Sequence, residues 1–500
     1  MRKKIIAIAM VIILVVGAGI TTWLVMRVPR SQTLRIYNWG DFIERDLIRD
    51  FQRHWQRETG RRFRVVYRTF ESNEAMYNNV VRNRADFDLL IPSDYKIEQM
   101  RGEGLLQPLN PEWLPSLTEQ VRALPYSYLP DDQGMLTIPR MTHQWRSDII
   151  SPRILDAMDF LTPSDAYGVN TLYAVPYFYG TLGILYDSSV TVGNLIPLDY
   201  LVYRLGWASL WLADSDTVSN AYLDVIINDH HAVQQAELPI SEQTPMTDSL
   251  RDSIRVAIRN TIPSMKSIGR DSFTVAKLVY HREEILSLDL GNAADLARRD
   301  EIMREIFEQP VGVNAAQDMA DRIGIAEDLL NSQHSSTFYE IDLGKMRLIN
   351  GEGPHVLGAE WSVSAVFAMM SNTNLAYHVP PEGTNLWVDA MVIPTRARNV
   401  RAAHAFIEFI SRPVNAMRNM DWVGGTSPIL TAANAHGHYL RTQSQLFDHI
   451  TPQGQLWRDR FIDEGIFPTE AVLTNGGIMR FLGDTFAMNI DAMMLRVRAS

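Results

Sequence analysis

From residue 34 to residue 102 the chain keeps switching its hydrophobic period. Leu34 to Tyr37 reads as a first strand. The stretch from Phe42 to Thr59 then places Leu47, Ile48, Phe51 and Trp55 on one helical face. Phe63 to Tyr67 is a second strand signal. Asn73 to Arg82 reads as a helix, Asp88 to Ile91 as a buried strand stopped by Pro92, and Tyr95 to Gly102 as another helix. Strands alternating with helices are the mark of an α/β protein with a mostly parallel sheet. Asp41 and Glu44 have capping-box spacing ahead of the first helix, and Gly60 is its C-terminal stop.

Downstream the periods weaken. Residues 126–170 are rich in Pro, Asp and Ser, and 188–280 hold amphipathic stretches such as Leu250 to Ile262 broken by polar turns. Asp295 to Phe307 predicts a helix, Leu386 to Ile393 a strand, Val400 to Ile410 a helix stopped by Arg412-Pro413, and Ile478 to Val497 a final helix. At 500 residues the chain exceeds the usual single domain, so two or more lobes are expected.

The first thirty residues stand apart. Arg2, Lys3 and Lys4 precede an uncharged run from Ile5 to Met26, closed by Arg27 and Arg30. That run exceeds the about 7–15 residues of a secretory h-region and is long enough for a ~30 Å hydrocarbon core. The basic cluster keeps the N-terminus cytoplasmic. The expectation is an uncleaved membrane anchor over residues 5–26, with cleavage after Ala18 as the alternative. Both readings export the rest of the chain, to the periplasm or the outer face of the cytoplasmic membrane.

Lys+Arg 47 against Asp+Glu 58 leaves a net charge of −11, which speaks against a nucleic-acid partner. There is no Cys, which removes disulfides, thiolate metal sites and thiol nucleophiles. No G-x-S-x-G elbow, P-loop, G-x-G-x-x-G turn or H-E-x-x-H helix is present. The close histidine pairs, His230-His231 and His436-Gly437-His438, have no carboxylate at matching spacing. No enzyme, metal or cofactor is therefore expected.

What does recur is an aromatic beside a carboxylate. Trp39 stands two residues from Asp41, Tyr95 follows Asp94, and Trp387 stands two residues from Asp389 in an apolar strand-like run. Residues two apart on a strand share a face, so Trp387, Asp389 and Met391 would point together. An Asp inside a strand is unfavourable without a partner or a purpose. An indole face plus a carboxylate suits an alkylammonium: the ring attracts the cation and the carboxylate gives a charge-assisted hydrogen bond.

Several ordered segments resemble the bacterial spermidine/putrescine-binding proteins, the periplasmic receptors of polyamine ABC transporters. They include Tyr37-Asn38-Trp39-Gly40-Asp41-Phe42-Ile43, Thr69 to Tyr77, Asp88 to Tyr95, Glu103 to Leu109, Val175 to Thr181, Gly206 to Trp211, Pro381 to Asp389 and Ser427-Pro428. The resemblance implies a two-lobe, type II periplasmic-binding-protein-like α/β fold with crossing hinge strands, preceded by the N-terminal transmembrane or signal helix of residues 1–30. Lobe one would take 33–178 plus 390–430, and lobe two 179–389 plus 431–500. Residues 126–171 and 212–280 would be inserts. It implies a polyamine or related organic cation in the cleft and ABC permease subunits as partners. The alternative is a membrane-tethered sensor or interaction module on the same fold.

The ligand residues carried over are Trp39, Asp41, Phe42, Ser93, Asp94, Tyr95, Glu284, Trp361, Trp387 and Asp389. Asp41 and Asp94 have helix capping as a competing role, and Trp361 has core burial. Three positions depart from the family pattern. His281 aligns where many relatives carry an Asp before the acid matched by Glu284, Phe42 stands for a tyrosine, and a second tyrosine is replaced within Gly424-Gly425-Thr426-Ser427-Pro428. Altered ligand chemistry in an intact cleft is the expectation.

Overall fold

The computed structural model describes residues 28–499 apart from 123–126, 132–133, 139–140, 166–167, 193–194, 213–217, 261–264, 267–269, 333–337, 340–341, 352–355 and 443–464. The run 5–26, expected to anchor the chain, lies outside the described residues. Among those described, no helix is long and apolar enough to cross a membrane.

Strands β1 (Thr33–Trp39), β2 (Arg64–Phe70) and β3 (Leu89–Leu90) are parallel, with β1 in the middle. Strands β4 (Thr118–Arg122), β5 (Ser127–Asp131), β6 (Gly134–Ile138) and β7 (Met141–Trp145) form two nested antiparallel pairs, β4 with β7 and β5 with β6. Part of the stretch with weak periods, 126–170, is thus a β-ribbon. Strand β8 (Ala174–Asp187) follows, and then the short pair β9 (Thr191–Val192) and β10 (Ile196–Pro197). Strands β11 (Met265–Lys266), β12 (Phe338–Tyr339) and β13 (Leu357–Trp361) run parallel to one another. Last come β14 (Leu375–His378), β15 (Thr384–Val392) and β16 (Gly476–Ile478). The main sheet runs β12-β11-β13-β8-β15-β3-β1-β2, with β14 also on β8 and β16 also on β15.

Two strands hold this sheet together. Ala174 to Thr181 of β8 pairs antiparallel with β15, and Leu182 to Asp187 continues between β13 and β14. At its far end, β15 joins the parallel strands through Val392 against Leu90. The cores divide the same way. Val175, Tyr177 and Phe178 of β8 pack with Leu34, Ile36, Phe51, Met391 and Phe406. Leu182, Ile184 and Tyr186 of the same strand pack with Trp207, Trp211, Phe273 and Phe486. A single strand therefore serves two hydrophobic cores, as a crossing strand between lobes would.

Local chemistry sets the helix ends. The first long helix spans Arg45–Thr59, buries Leu47 and Phe51, and stops at Gly60 in the left-handed region (φ 65°). It starts later than expected, because Glu44 is its N-cap and accepts from Asp46 N. Asp41 is exposed in a left-handed turn (φ 50°) and caps nothing. The expected capping box is corrected accordingly. The helix Val400–Ile410 falls as expected, while the final helix runs Gly483–Ala499, after β16 takes the start of the expected segment. Between β10 and β11, in the stretch read as an insert, lie the helices Asn220–Ala236 and Asp248–Arg259.

The N-terminal end of β15 is pinned by a buried ion pair. Glu382, fully buried, accepts from Arg282 Nε at 3.1 Å and from Trp207 N at 3.2 Å. Burial raises the Glu382 pKa, and the Arg282 charge opposes that rise. Gly206 (φ 55°) is required beside it, because a Cβ there would collide with the carboxylate. Removing one partner of a buried pair leaves the other charge uncompensated. Arg282→Met should cost about 3–5 kcal/mol in urea denaturation at pH 8, and adding Glu382→Leu should restore most of it. A single variant within about 1 kcal/mol of the parent would contradict this account.

Candidate functional site

The parallel strands β1 and β3 bring their C-terminal ends to one edge, where open α/β sheets hold ligands. Trp39 ends β1. Ser93 follows β3 and occupies the N-cap of the helix Asp94–Gly102, yet makes no side-chain cap bond. Its hydroxyl donates instead to Asp389 Oδ1 at 2.7 Å. Asn73 holds it in place: Nδ2 donates to Ser93 Oγ at 3.1 Å and to Tyr95 OH at 3.1 Å, while Oδ1 accepts from Ser93 N at 3.2 Å. The Tyr95 hydroxyl donates to Glu74 Oε1 at 3.1 Å.

Asp389 lies mid-way along the crossing pair, 4% exposed. Its register partner on β8 is Phe178; the next residue, Ala390, pairs with Pro176, so Tyr177 is an extra residue opposite that step. The bulge turns both Tyr177 and Phe178 toward the first core. Trp387 lies across Gly180, where a Cβ would collide with the indole and with Ser362 Oγ. Trp387 Nε1 donates to Thr181 O at 3.3 Å, and Thr181 N donates to Ser362 Oγ at 3.2 Å. Phe42 closes the first-lobe side, its ring edge-on to Phe178 with centroids 5.4 Å apart. Its carbonyl accepts from Tyr177 OH at 2.7 Å. Trp361 ends β13 immediately before Ser362, half-buried against the second core.

The electrostatics of Asp389 are unusual. Burial pushes its carboxyl up to about 7, against the pull of the Ser93 hydroxyl and the Trp39 indole. Trp39 Nε1 is buried and lies near the same carboxylate, but no bond of ordinary geometry closes, so the N–H is without a partner. No cation among the described residues pairs with Asp389. A desolvated carboxylate without a counter-ion beside two indoles is the arrangement an ammonium completes.

The other expected residues fall into three groups. Asp94 is 2% exposed and bound to backbone on both sides: Oδ1 accepts from Tyr95 N at 2.6 Å and Oδ2 from Val388 N at 2.9 Å. Burial raises its pKa well above the usual range, and those two N–H groups oppose the rise. It ties the helix to β15 behind Asp389, while the N-cap position weighed for it belongs to Ser93. Asp41 stands exposed on the turn after Trp39. Glu284 is not brought to Asp389. It pairs with Arg298 at 2.6 Å, on the helix beginning at Arg282, whose guanidinium binds Glu382 ahead of β15. From Glu382 to Asp389 an extended chain covers roughly 20 Å. His281 is buried beside Glu305 at 3.1 Å in the same neighbourhood. Both residues are held in ion pairs there, Glu284 with Arg298 and His281 with Glu305.

Four site residues were not singled out from the sequence: Asn73, Phe178, Gly180 and Ser362. Gly180 was the most legible, since a glycine two residues after Phe178 on a β-rich stretch signals close approach. Its partner required the register between β8 and β15.

No family model matches the chain. The chain is 24% identical over 403 residues to the spermidine/putrescine-binding periplasmic protein of Salmonella typhimurium, covering 80% of this chain and 79% of that one. It is 33% identical over 189 residues to the putrescine-binding periplasmic protein PotF of Escherichia coli, covering 37% and 40%. Among solved structures, the spermidine/putrescine ABC transporter substrate-binding protein PotD of Streptococcus pneumoniae aligns with TM-score 0.54 at 21% identity, covering 94% of this chain and 99% of that one. The TpPotD lipoprotein of Treponema pallidum aligns with TM-score 0.53 at 16% identity, covering 94% and 100%. The resemblance read from the sequence is borne out. The fold is that of the periplasmic substrate-binding proteins.

The raised Asp389 pKa has a sign for stability. The unfolded carboxyl titrates near 4. Between about 4 and about 7 the folded protein therefore holds a proton that the unfolded chain lacks, and stability falls as pH rises through that window. The full difference is at most about 4 kcal/mol. Asp389→Asn keeps an acceptor for Ser93 and removes the charge. Ligand-free Asp389→Asn should melt above the parent at pH 8, with the gap closing at pH 5. A variant destabilised equally at both pH values would count against a strained carboxylate.

Proposed function

We infer that this chain is the extracytoplasmic solute-binding receptor of an ABC transporter, which holds a polyamine or a related organic cation between two lobes and passes it to permease subunits. The observation that carries this reading is Asp389: a buried carboxylate without a cation, at the crossing of the two strands that serve both cores. The relatives named as spermidine/putrescine-binding and putrescine-binding proteins support the ligand class. Trp387, Trp39 and Trp361 supply aromatic surface, Ser93 orients the carboxylate, Asn73 orients Ser93, and Phe42 with Phe178 forms an apolar wall. Asp94 acts as a positioning residue.

The lobes follow the same logic. Lobe one takes 33–178 and 390–430, and the helix Leu430–Thr442 goes with it, since it packs on the helix Pro413–Val423 and adds Ala432 to the first core. The remainder of 179–389 and the C-terminal helix form lobe two. β8 and β15 are the hinge, and closure over a ligand would bend them near Gly180. The uncharged run 5–26 exports the chain and tethers it to the outer face of the cytoplasmic membrane.

Putrescine or spermidine at a hundredfold above Kd should stabilise the protein by about 2.7 kcal/mol, read as a thermal shift. Asp389→Asn should weaken binding more than tenfold, about 1.4 kcal/mol, and Trp387→Ala comparably. Calorimetric titrations that leave both variants within about twofold of the parent would refute the site.

A further inference from the structure

We propose that this cleft selects a cation with a single charged head and an apolar body, an alkyl monoamine, over a diamine of the same length. The proposal rests on the reading of Asp389 as the cation site and narrows what that site accepts.

A diammonium ligand held in a closed cleft needs a carboxylate for each end, because a desolvated ammonium without a partner costs several kcal/mol. Asp389 can serve one end, since among the described residues its carboxylate accepts a direct hydrogen bond from the Ser93 hydroxyl alone. Among the described residues, other acids on the elements around the site already accept hydrogen bonds or pair with cations. Asp94 has both oxygens on backbone N–H groups of Tyr95 and Val388. Glu74 accepts from the Tyr95 hydroxyl and pairs with Lys96 Nζ at 3.4 Å. Glu360, beside Trp361, accepts from Trp361 N at 3.1 Å. At the far end of β15, Glu382 is held by Arg282 and Glu284 by Arg298.

Across the strand pair from Asp389 the surface is apolar. Phe178 stands opposite it, Phe42 meets Phe178, and Gly425 fits between Phe178 and Val363, where an added Cβ would lie 3.2 and 3.1 Å from those side chains. Such a wall stabilises a hydrocarbon chain and gives a second ammonium an aromatic face but no carboxylate. Asp41 and Glu71, on the turns after β1 and β2, are exposed, and no described cation pairs with either. A contact there stays hydrated and is worth little.

Calorimetric titration of the full chain at pH 8 with n-butylamine and with 1,4-diaminobutane tests this directly. The expected result is at least tenfold tighter binding of butylamine, abolished by Asp389→Asn. Diaminobutane bound as tightly as butylamine, or more tightly, overturns the selectivity while leaving the cation site standing. Loss of that diamine binding in Asp41→Asn would name Asp41 as the second anchor. Failure of the parent to bind either amine or spermidine overturns the cation reading itself. Butylamine binding retained in Asp389→Asn places the amine elsewhere and overturns the proposal too.

Discussion

The pairing of Ala174–Thr181 with Leu386–Val392 is the contact on which the molecule depends. Those two strands run antiparallel between two separate hydrophobic cores, and the parallel strands of the first lobe reach the rest of the sheet through them. Their register decides what meets at the centre. It sets Trp387 over Gly180 and Asp389 opposite Phe178, and the bulge at Tyr177 keeps two successive aromatics on the first core. A slip of one residue would carry Asp389 to the face of Val388 and Ala390, which packs on Tyr37, Phe70 and Ile97.

Against that well-packed background Asp389 is an unfavourable residue. Other buried acids satisfy ordinary rules: Glu382 has a cation, and Asp94 has two backbone donors. Asp389 has one hydroxyl and a nearby indole N–H, and its charge is disfavoured accordingly. Proteins keep such local violations where function uses them. An incoming ammonium would relieve the desolvated carboxylate and offer a charge to the indole faces in the same step, so binding and stabilisation are one event.

Much of this was legible in the sequence, because periodicity reports burial. The strand–helix alternation from Leu34 to Gly102, the helix Val400–Ile410 and the shared face of Trp387, Asp389 and Met391 all came from apolar spacing alone. Readings based on short local patterns fared worse. Asp41 and Glu44 have capping-box spacing, but a left-handed backbone at Asp41 moves the cap to Glu44. Glu284 and His281 were aligned on a short stretch, and tertiary packing commits them to Arg298 and Glu305. Asn73, Ser362 and the seat at Gly180 depend on contacts between distant segments, which no single-sequence period encodes. The ribbon β4–β7 escaped because its Pro-rich, polar sequence lacks the alternation that a half-buried strand displays.

The central claim is that the ligand-free cleft holds one desolvated carboxylate awaiting a cation. The direct measurement is the pH titration of the Asp389 carboxyl by ¹³C NMR in aspartate-labelled protein, with the resonance assigned by its loss in Asp389→Asn. The expected midpoint is near 7 without ligand, with a marked fall when an amine occupies the site. A ligand-free midpoint near 4, unmoved by amine, would contradict it.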